Sequence, residues 1–562
     1  RRKGRFGAGR ALLAVPAACV LLLCMGAYLR RQSRCHMSTH DAAEQQLNNS
    51  DDATGLPHGA EDRLVSNGTH WFRPTLIVVS LDGFRADYMD RGFTPELVKL
   101  GRRGLRADYM VPSFPSSTFP NHYTIVTGLY PGSHGIVSNE FYDATLNSTF
   151  VYKDPKRSID PRWWENAEPI WVTAEKQGVR AGINMWPGST SVIHGRRPTY
   201  LVPYAGDVAP TKKVDKVLEW LDLPLSQRPS LLATYMPEVD SAAHRKGHND
   251  ATVNSAAHLV DAAVGRLWAE VERRNLTGIV NLMVVSDHGM AESHAGDNAI
   301  YIDDIIDTTR LRGIYGWPLA GLQPYDQADV PLMYAKLKAA SVGQPWTVYL
   351  RDQIPDRFHY TFASRTAPVF VIPDAPYYVT TRDNDAFYTS HLGSNPEKGA
   401  PMGVHGYDNT NPLMRATFVA VGPAFRSRDT PAPALPNTLP PSPPPPTLPQ
   451  GMVRIMNGTA PAHEQAIDDG GSHVSDMDAM QDYLELVRNA VASSSRGETT
   501  QEYHGVNDYA WGDSKLTNAQ LRNIRHPPFE NVELYALMAR ILHLVPAPNN
   551  GTTEFSRWWL RQ

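Results

Sequence analysis

The sequence predicts an α/β fold: a mostly parallel sheet with helices on both faces, interrupted late in the chain by a polar, proline-rich insertion. Three observations predict it. Short apolar runs rich in β-branched residues alternate with longer stretches of helical periodicity, the pattern of a parallel sheet covered on both sides. Two of those runs end directly on acidic residues, at Asp82 and Asp287, and ligands of such sheets gather beyond the carboxyl ends of the strands. The chain has 562 residues, 42% hydrophobic and 20% charged, enough for a large core of ordinary composition.

Taken in order, residues 1–10 carry Arg1, Arg2, Lys3, Arg5 and Arg10, and Ala11 to Leu29 is a run without charge. That run approaches the ~20 residues of a membrane-spanning helix. The heavier positive charge before it predicts a cytosolic tail over 1–10 and a transmembrane signal anchor over 11–29. The rest would then be lumenal or extracellular, as in a single-pass type II membrane protein of the secretory pathway, at the cell surface or in a vacuole. A cleaved signal peptide is the competing reading, but Arg30 and Arg31 follow directly where small cleavage-site residues are expected. Sequons at Asn48, Asn67, Asn147, Asn275, Asn457 and Asn550 agree with a lumenal glycoprotein. All three cysteines (Cys19, Cys24, Cys35) lie in or beside the anchor, so zinc elsewhere must be held by His and Asp.

Residues 30–70 read as a polar stalk. The predicted catalytic domain, 71–427, contains strands over Thr75 to Leu81, Val179 to Ile183, Ser230 to Tyr235, Gly278 to Ser286 and Ala416 to Val421. Helices are predicted over Glu96 to Arg103, Pro169 to Gln177, Lys212 to Leu221 and Val253 to Arg274. Ten of the residues from Pro431 to Pro449 are proline, which excludes helix or central strand. Residues 428–526 therefore read as an insertion. The domain is predicted to resume at 527–562, with helical patterning over Phe529 to Leu544. A net charge of −4 gives no footprint for polymeric nucleic acid and leaves a small anionic ligand open.

The residues that carry chemistry are spread along the chain. Asp82 and the pair Asp287-His288 follow apolar runs; each Asp alone could equally cap a helix. Asp240 and His244, four apart in DSAAH, share a face if helical. His405 sits in GVHGYDN, whose glycines let the backbone turn closely. Together these six form a nitrogen-and-oxygen set large enough for two zinc ions. In SSTFPN a helix is expected to begin near Asn121. Thr118 then lies near its N-terminus, where free N–H groups and the helix dipole favour phosphate. Read locally, Thr118, Ser116 or Ser117 could simply cap that helix.

These stretches, with LDGFRADY, STFPNHYTIVTGLYPGSHGI, EPIWVTAEKQG, MWPGS, VVSDHGM, VHGYDN and PPFENVELY, resemble the nucleotide pyrophosphatase/phosphodiesterase family of the alkaline phosphatase superfamily. The resemblance implies an alkaline-phosphatase-like fold and a two-zinc site. One zinc would be held by Asp240, His244 and His405, the other by Asp82, Asp287, His288 and the Thr118 oxygen. It implies Thr118 as a covalent nucleophile, Asn139 as amide donor to phosphate, Phe119 and Tyr204 as aromatic partners of a nucleobase, and Trp186 on the pocket wall. The implied activity is hydrolysis of nucleotide phosphodiesters and pyrophosphates to nucleoside 5'-monophosphates. Ser117 and Thr190 stand where relatives often carry Lys and an acid, and Val239 where Pro is common. The alternatives are a lysophospholipid or phosphocholine-ester diesterase, a phosphomonoesterase, and a non-catalytic surface glycoprotein.

Overall fold

Thr75–Leu81 forms a strand, β1, that is buried along its whole length. Successive side chains of a strand point to opposite faces. Accordingly Leu76 and Val78 enter one hydrophobic core, and Ile77, Val79 and Leu81 a second. Each such fully buried aliphatic side chain contributes about 1.5–3 kcal/mol, so β1 ties the two layers together. In the computed structural model the described residues are 64–385, 399–425, 525–552, 555–556 and 559–560. The expected tail, anchor, most of the stalk and nearly all of the insertion lie outside them, as do the three cysteines. The residues described belong to one compact unit, Arg63–Gln562.

The remaining strands of the main sheet are β2 (Leu105–Ala107), β3 (Ala181–Asn184), β4 (Tyr200–Val202), β5 (Leu231–Met236), β6 (Val280–Val285), β7 (Phe418–Val421) and β8 (Arg525–His526). Their spatial order is β8-β2-β7-β6-β1-β5-β3-β4. The helices that pack on this sheet are α1 (Pro95–Arg103), α2 (Thr118–Thr127), α3 (Ile170–Lys176), α4 (Pro210–Leu221), α5 (Glu238–Lys246), α6 (Ala251–Arg273) and α7 (Glu533–Ile541). Residues of α2, α3 and α7 fill the first core, and those of α1, α4, α5 and α6 the second. Amphipathic helices bury their apolar stripe in this way on each face of the sheet.

One strand runs against the rest, within the mostly parallel sheet expected. β1, β5, β6 and β3 pair in parallel, but β7 runs antiparallel to both β6 and β2. The chain leaves β6 at the carboxyl edge, builds a separate four-stranded sheet from residues 311–373, and re-enters β7 from that same edge. His405 therefore precedes its strand, whereas Asp82 and Asp287 follow theirs. At the other end of the chain, β8 adds to β2 in parallel. The helix expected from Phe529 begins only at Glu533, because Phe529–Glu530 pairs as a strand with Met110–Val111. Val65–Ser66 and Trp71–Phe72 form a hairpin across the expected stalk boundary at residue 70.

Candidate active site

Three adjacent parallel strands, β6, β1 and β5, end side by side and deliver the acidic ligands. Asp82 follows β1 directly, and Gly83 next to it takes φ +63. A Cβ on Gly83 would lie 3.0 Å from the Asp240 backbone and side chain, so a glycine there lets the two loops meet. Beyond β5 the chain turns into α5, which sets Asp240 and His244 one turn apart with Oδ1 and Nε2 separated by 3.3 Å. His405 follows the strand Pro401–Val404, paired antiparallel with Ala291–His294. Gly403 in that strand passes so close to α5 that a Cβ would sit 2.5 Å from the Ala243 carbonyl oxygen.

The six residues fall into two groups, Asp240-His244-His405 and Asp82-Asp287-His288. Within each group the candidate ligand atoms lie within 4.8 Å of one another. The three imidazoles share one protonation pattern. Nδ1 of His244 lies 2.8 Å from the Gly403 carbonyl, that of His288 2.8 Å from the Gly289 carbonyl, and that of His405 3.0 Å from the Ser116 carbonyl. A carbonyl only accepts, so each Nδ1 carries a proton, and Nε2 is the inward atom whose lone pair a cation could take. Opposite these lone pairs stand Asp82 Oδ1, Asp240 Oδ1 and Asp287 Oδ2, all buried without a hydrogen-bond donor. His288 Nε2 is 3.0 Å from Asp287 Oδ2 and 3.4 Å from Asp82 Oδ1, and His405 Nε2 is 3.5 Å from Asp240 Oδ1. Acceptors facing acceptors at this range repel, and a bound cation removes the repulsion. The donor set of imidazole nitrogen and carboxylate oxygen suits zinc and similar divalent ions.

Electrostatics reflect the same shortage of positive charge. Burial, reinforced by the charges of Asp287 and Asp240, pushes the Asp82 carboxyl well above the ordinary carboxylate range. Burial also works against a charged Asp240, but His244, His405 and His288 together hold it down at about 2. Asp287 is held well below the ordinary range by His288 and His122 against the same burial. Burial and the neighbouring His288 depress His405 to about 3.

Thr118 opens α2 instead of capping a helix begun near Asn121. Ser117 occupies the cap position in extended conformation and makes no side-chain bond to the first turn. The Ser116 hydroxyl donates to the Tyr407 carbonyl instead. The cap comes from Asn139, whose Oδ1 accepts the Phe119 N–H at 2.9 Å. This leaves the Asn139 Nδ2 amine as what that side chain can offer a ligand. It also takes the Phe119 N–H out of any phosphate site, and Pro120 has none; among the described residues, the Thr118 N–H has no partner. The Thr118 hydroxyl is thereby released toward the ligand groups, 3.4 Å from His288 Nε2.

Of the expected aromatic residues, Phe119 is partly buried against Tyr152 and Phe150. Tyr204 stands 58% exposed, with its ring 6.1 Å from that of Tyr235. Trp186 is buried, edge-on to His122. Three neighbours escaped the sequence reading. The Tyr235 hydroxyl donates to Asp82 Oδ2. The Nδ1 of His122 donates to the Thr118 carbonyl at 2.9 Å and lies 3.3 Å from Asp287 Oδ2, while its Nε2 accepts from Ser80 Oγ. Asn531 joins the C-terminal segment to the start of α2 and the loop before it: its Nδ2 donates to Asn121 Oδ1, and its Oδ1 accepts from Ser113. The four-residue spacing of Thr118 and His122 is a readable signal; nothing local marks Tyr235 or Asn531.

Comparison with known proteins places this geometry. Residues 76–408 match the family described as type I phosphodiesterase / nucleotide pyrophosphatase. An uncharacterised pyrophosphatase/phosphodiesterase of Schizosaccharomyces pombe is 43% identical over 368 residues, 64% of this chain and 74% of that one. Ectonucleotide pyrophosphatase/phosphodiesterase family member 1 of Homo sapiens is 36% identical over 63% of this chain, which spans only 38% of the human protein. A bis(5'-adenosyl)-triphosphatase of Xenopus laevis is 35% identical, covering 63% of this chain and 73% of its own length. Among solved structures, murine ectonucleotide pyrophosphatase/phosphodiesterase 5 superposes with a TM-score of 0.63 at 26% identity, over 86% of this chain and all of that one. The same murine protein, solved as an inactive threonine-to-alanine variant in complex with AMP, gives the same score over 87% of this chain.

Proposed function

The chain belongs to the type I phosphodiesterase / nucleotide pyrophosphatase family, with its alkaline-phosphatase-like α/β fold. From that premise we propose that it hydrolyses phosphodiester and pyrophosphate bonds of small nucleotides, releasing nucleoside 5'-monophosphates through a covalent intermediate on Thr118. The observation that carries the reading is the Thr118 hydroxyl 3.4 Å from His288 Nε2, beside two acid-and-histidine groups in which Asp82 Oδ1, Asp240 Oδ1 and Asp287 Oδ2 are buried without a hydrogen-bond partner.

Asp240, His244 and His405 would hold one zinc ion; Asp82, Asp287 and His288, with the Thr118 oxygen, would hold the other. Such ions supply charge stabilisation for the attacking and leaving oxygens. The chain's own groups do the rest. Thr118 Oγ forms the bond to phosphorus as the bond to the leaving oxygen breaks, and water then reverses the exchange and frees the hydroxyl. The Asn139 Nδ2 amine is placed to donate to a non-bridging phosphate oxygen. Phe119 and Tyr204 present the aromatic faces that suit a nucleobase. That the murine threonine-to-alanine variant is inactive and was solved with AMP supports a catalytic threonine and a nucleotide ligand.

A diester fits better than a monoester, whose extra charge calls for an added cation. Among the described ion pairs, the six ligand residues meet only histidines, and no Arg or Lys reaches them. The same reading keeps residues 11–29 as a membrane anchor, with the catalytic parts 71–427 and 527–562 lumenal or extracellular. No helix among the described residues is long and apolar enough to cross a membrane. Rates on an aryl nucleotide diester, an aryl phosphate and an aryl phosphocholine decide the matter. The nucleotide diester is expected to be fastest. A faster aryl phosphate overturns the diesterase assignment, and a faster phosphocholine ester moves it to lipids.

A further inference from the structure

The metal-ligand groups follow the carboxyl ends of β1, β5 and β6; a separate cavity of about 410 Å³ opens where those same strands begin. Its walls come from the segments preceding β1 (Thr69, Phe72), β5 (Arg228) and β6 (Asn275), together with Arg273 and Arg274 at the end of α6. With strands rising ~3.3 Å per residue, the length of β1 puts roughly 20 Å between the two sites.

The cavity holds an unbalanced charge. Arg274 grips Asp222 with its Nε and Nη2 edge, both bonds at 2.7 Å, and Arg273 pairs with Glu270. Arg228 is the most buried of the three, at 8% exposure. Its one hydrogen bond runs from Nη1 to the Trp71 carbonyl at 2.8 Å, and its guanidinium lies over the Phe72 ring, 3.8 Å from the centroid. Its Nε is buried without a partner, and among the described residues no carboxylate forms an ion pair with it. Buried charges are ordinarily paired, because an uncompensated ion out of water is costly. The aromatic face, the carbonyl and the charge of Asp222, which also lines the cavity but is held by Arg274, offset part of that cost. Arg274 meets a carboxylate with its planar fork; the fork of Arg228, which likewise matches carboxylate and phosphate oxygens, meets none among the described residues.

We propose that this cavity is a binding site for a small oxyanion, a phosphate or a carboxylate group, received by the guanidinium of Arg228. It is independent of the hydrolytic site and of any assignment made there. The test is thermal unfolding of the zinc-loaded protein in phosphate, in acetate and in chloride at equal ionic strength, for wild type and Arg228→Met. Any phosphate bound at the hydrolytic site is common to both proteins and cancels. At least one oxyanion is expected to raise the wild-type Tm above chloride, with an apparent dissociation constant at least about tenfold weaker in Arg228→Met. Hydrolysis of the aryl nucleotide diester should be unchanged. The phosphate and acetate arms separate the two ligand sources. Equal responses of both proteins, or no response in either oxyanion, overturn the proposal. Should Arg228→Met not fold, wild-type crystals soaked in selenate decide: an anomalous peak against the Arg228 guanidinium is expected, and an empty cavity overturns it.

Discussion

The imidazole of His288 lies face to face on that of His405, with ring centroids 3.6 Å apart and planes 13° from parallel. The two residues belong to different ligand groups, so those groups share a wall. Each ring is fixed from behind by its Nδ1 bond to a carbonyl, and neither can shift without moving the other.

This contact predicts that the two metal positions are coupled. His405→Ala should weaken the ion left at Asp82, Asp287 and His288 by about 10–100-fold, the scale of lost supporting contacts around a metal ligand. Chelator competition followed by metal analysis measures it. Wild-type affinity of the remaining ion would show the groups to be independent.

Thr118→Ala should lower turnover of an aryl nucleotide diester by at least about a thousandfold, the scale seen when a covalent nucleophile is removed. Zinc content should stay near the wild-type value, because six other ligand residues are untouched. Wild-type-like turnover in this variant would rule out the covalent route.

His122 supports Thr118 and Asp287 without being placed to touch substrate. His122→Leu should lower kcat by about 10–100-fold with little change in KM. His122→Asn, whose amide can replace the Nδ1 donor to the Thr118 carbonyl, should recover part of the loss. If the Asn and Leu variants are equally impaired, the role is packing against Trp186 and Tyr235.

Glu533 sets a pH dependence of stability away from the metal groups. Burial raises its pKa to about 7, against hydrogen bonds from the Thr552 N–H and hydroxyl. The folded state therefore holds this proton more tightly than the unfolded chain. Its stabilising contribution is complete below the ordinary value near 4.5 and is lost as pH rises toward 7. The loss is on the order of 1–3 kcal/mol. The Tm difference between Glu533→Gln and wild type, measured at pH 5 and pH 8, should shift in favour of the variant at the higher pH. A constant difference would contradict the assignment, and titration of the metal ligands cancels in the comparison.

Much of the architecture was legible because it is written in local periodicity. The run Thr75 to Leu81 matches its strand end to end, and the four-residue spacing of Asp240 and His244 placed both on one helical face. The acids after apolar runs do lie at the carboxyl ends of strands, and the six residues singled out do gather in two groups. Thr118, which read locally looked like a cap, opens its helix instead.

Other features depend on partners far apart in the chain. The direction of β7 follows from where residues 286–417 travel, which no window of sequence encodes. Asn139 displaces the local serines as cap because the fold brings its carbonyl oxygen to the Phe119 N–H. Asn531 reaches the start of α2 only because the C-terminal segment returns to pair with Met110–Val111. By itself the sequence determined which residues are apolar, acidic or basic, and with what period, since a strand or helix responds to its own neighbours. The tertiary structure alone decided which lone pairs face one another and which guanidinium is left without an anion, because those depend on distances set by the order of strands in the sheet.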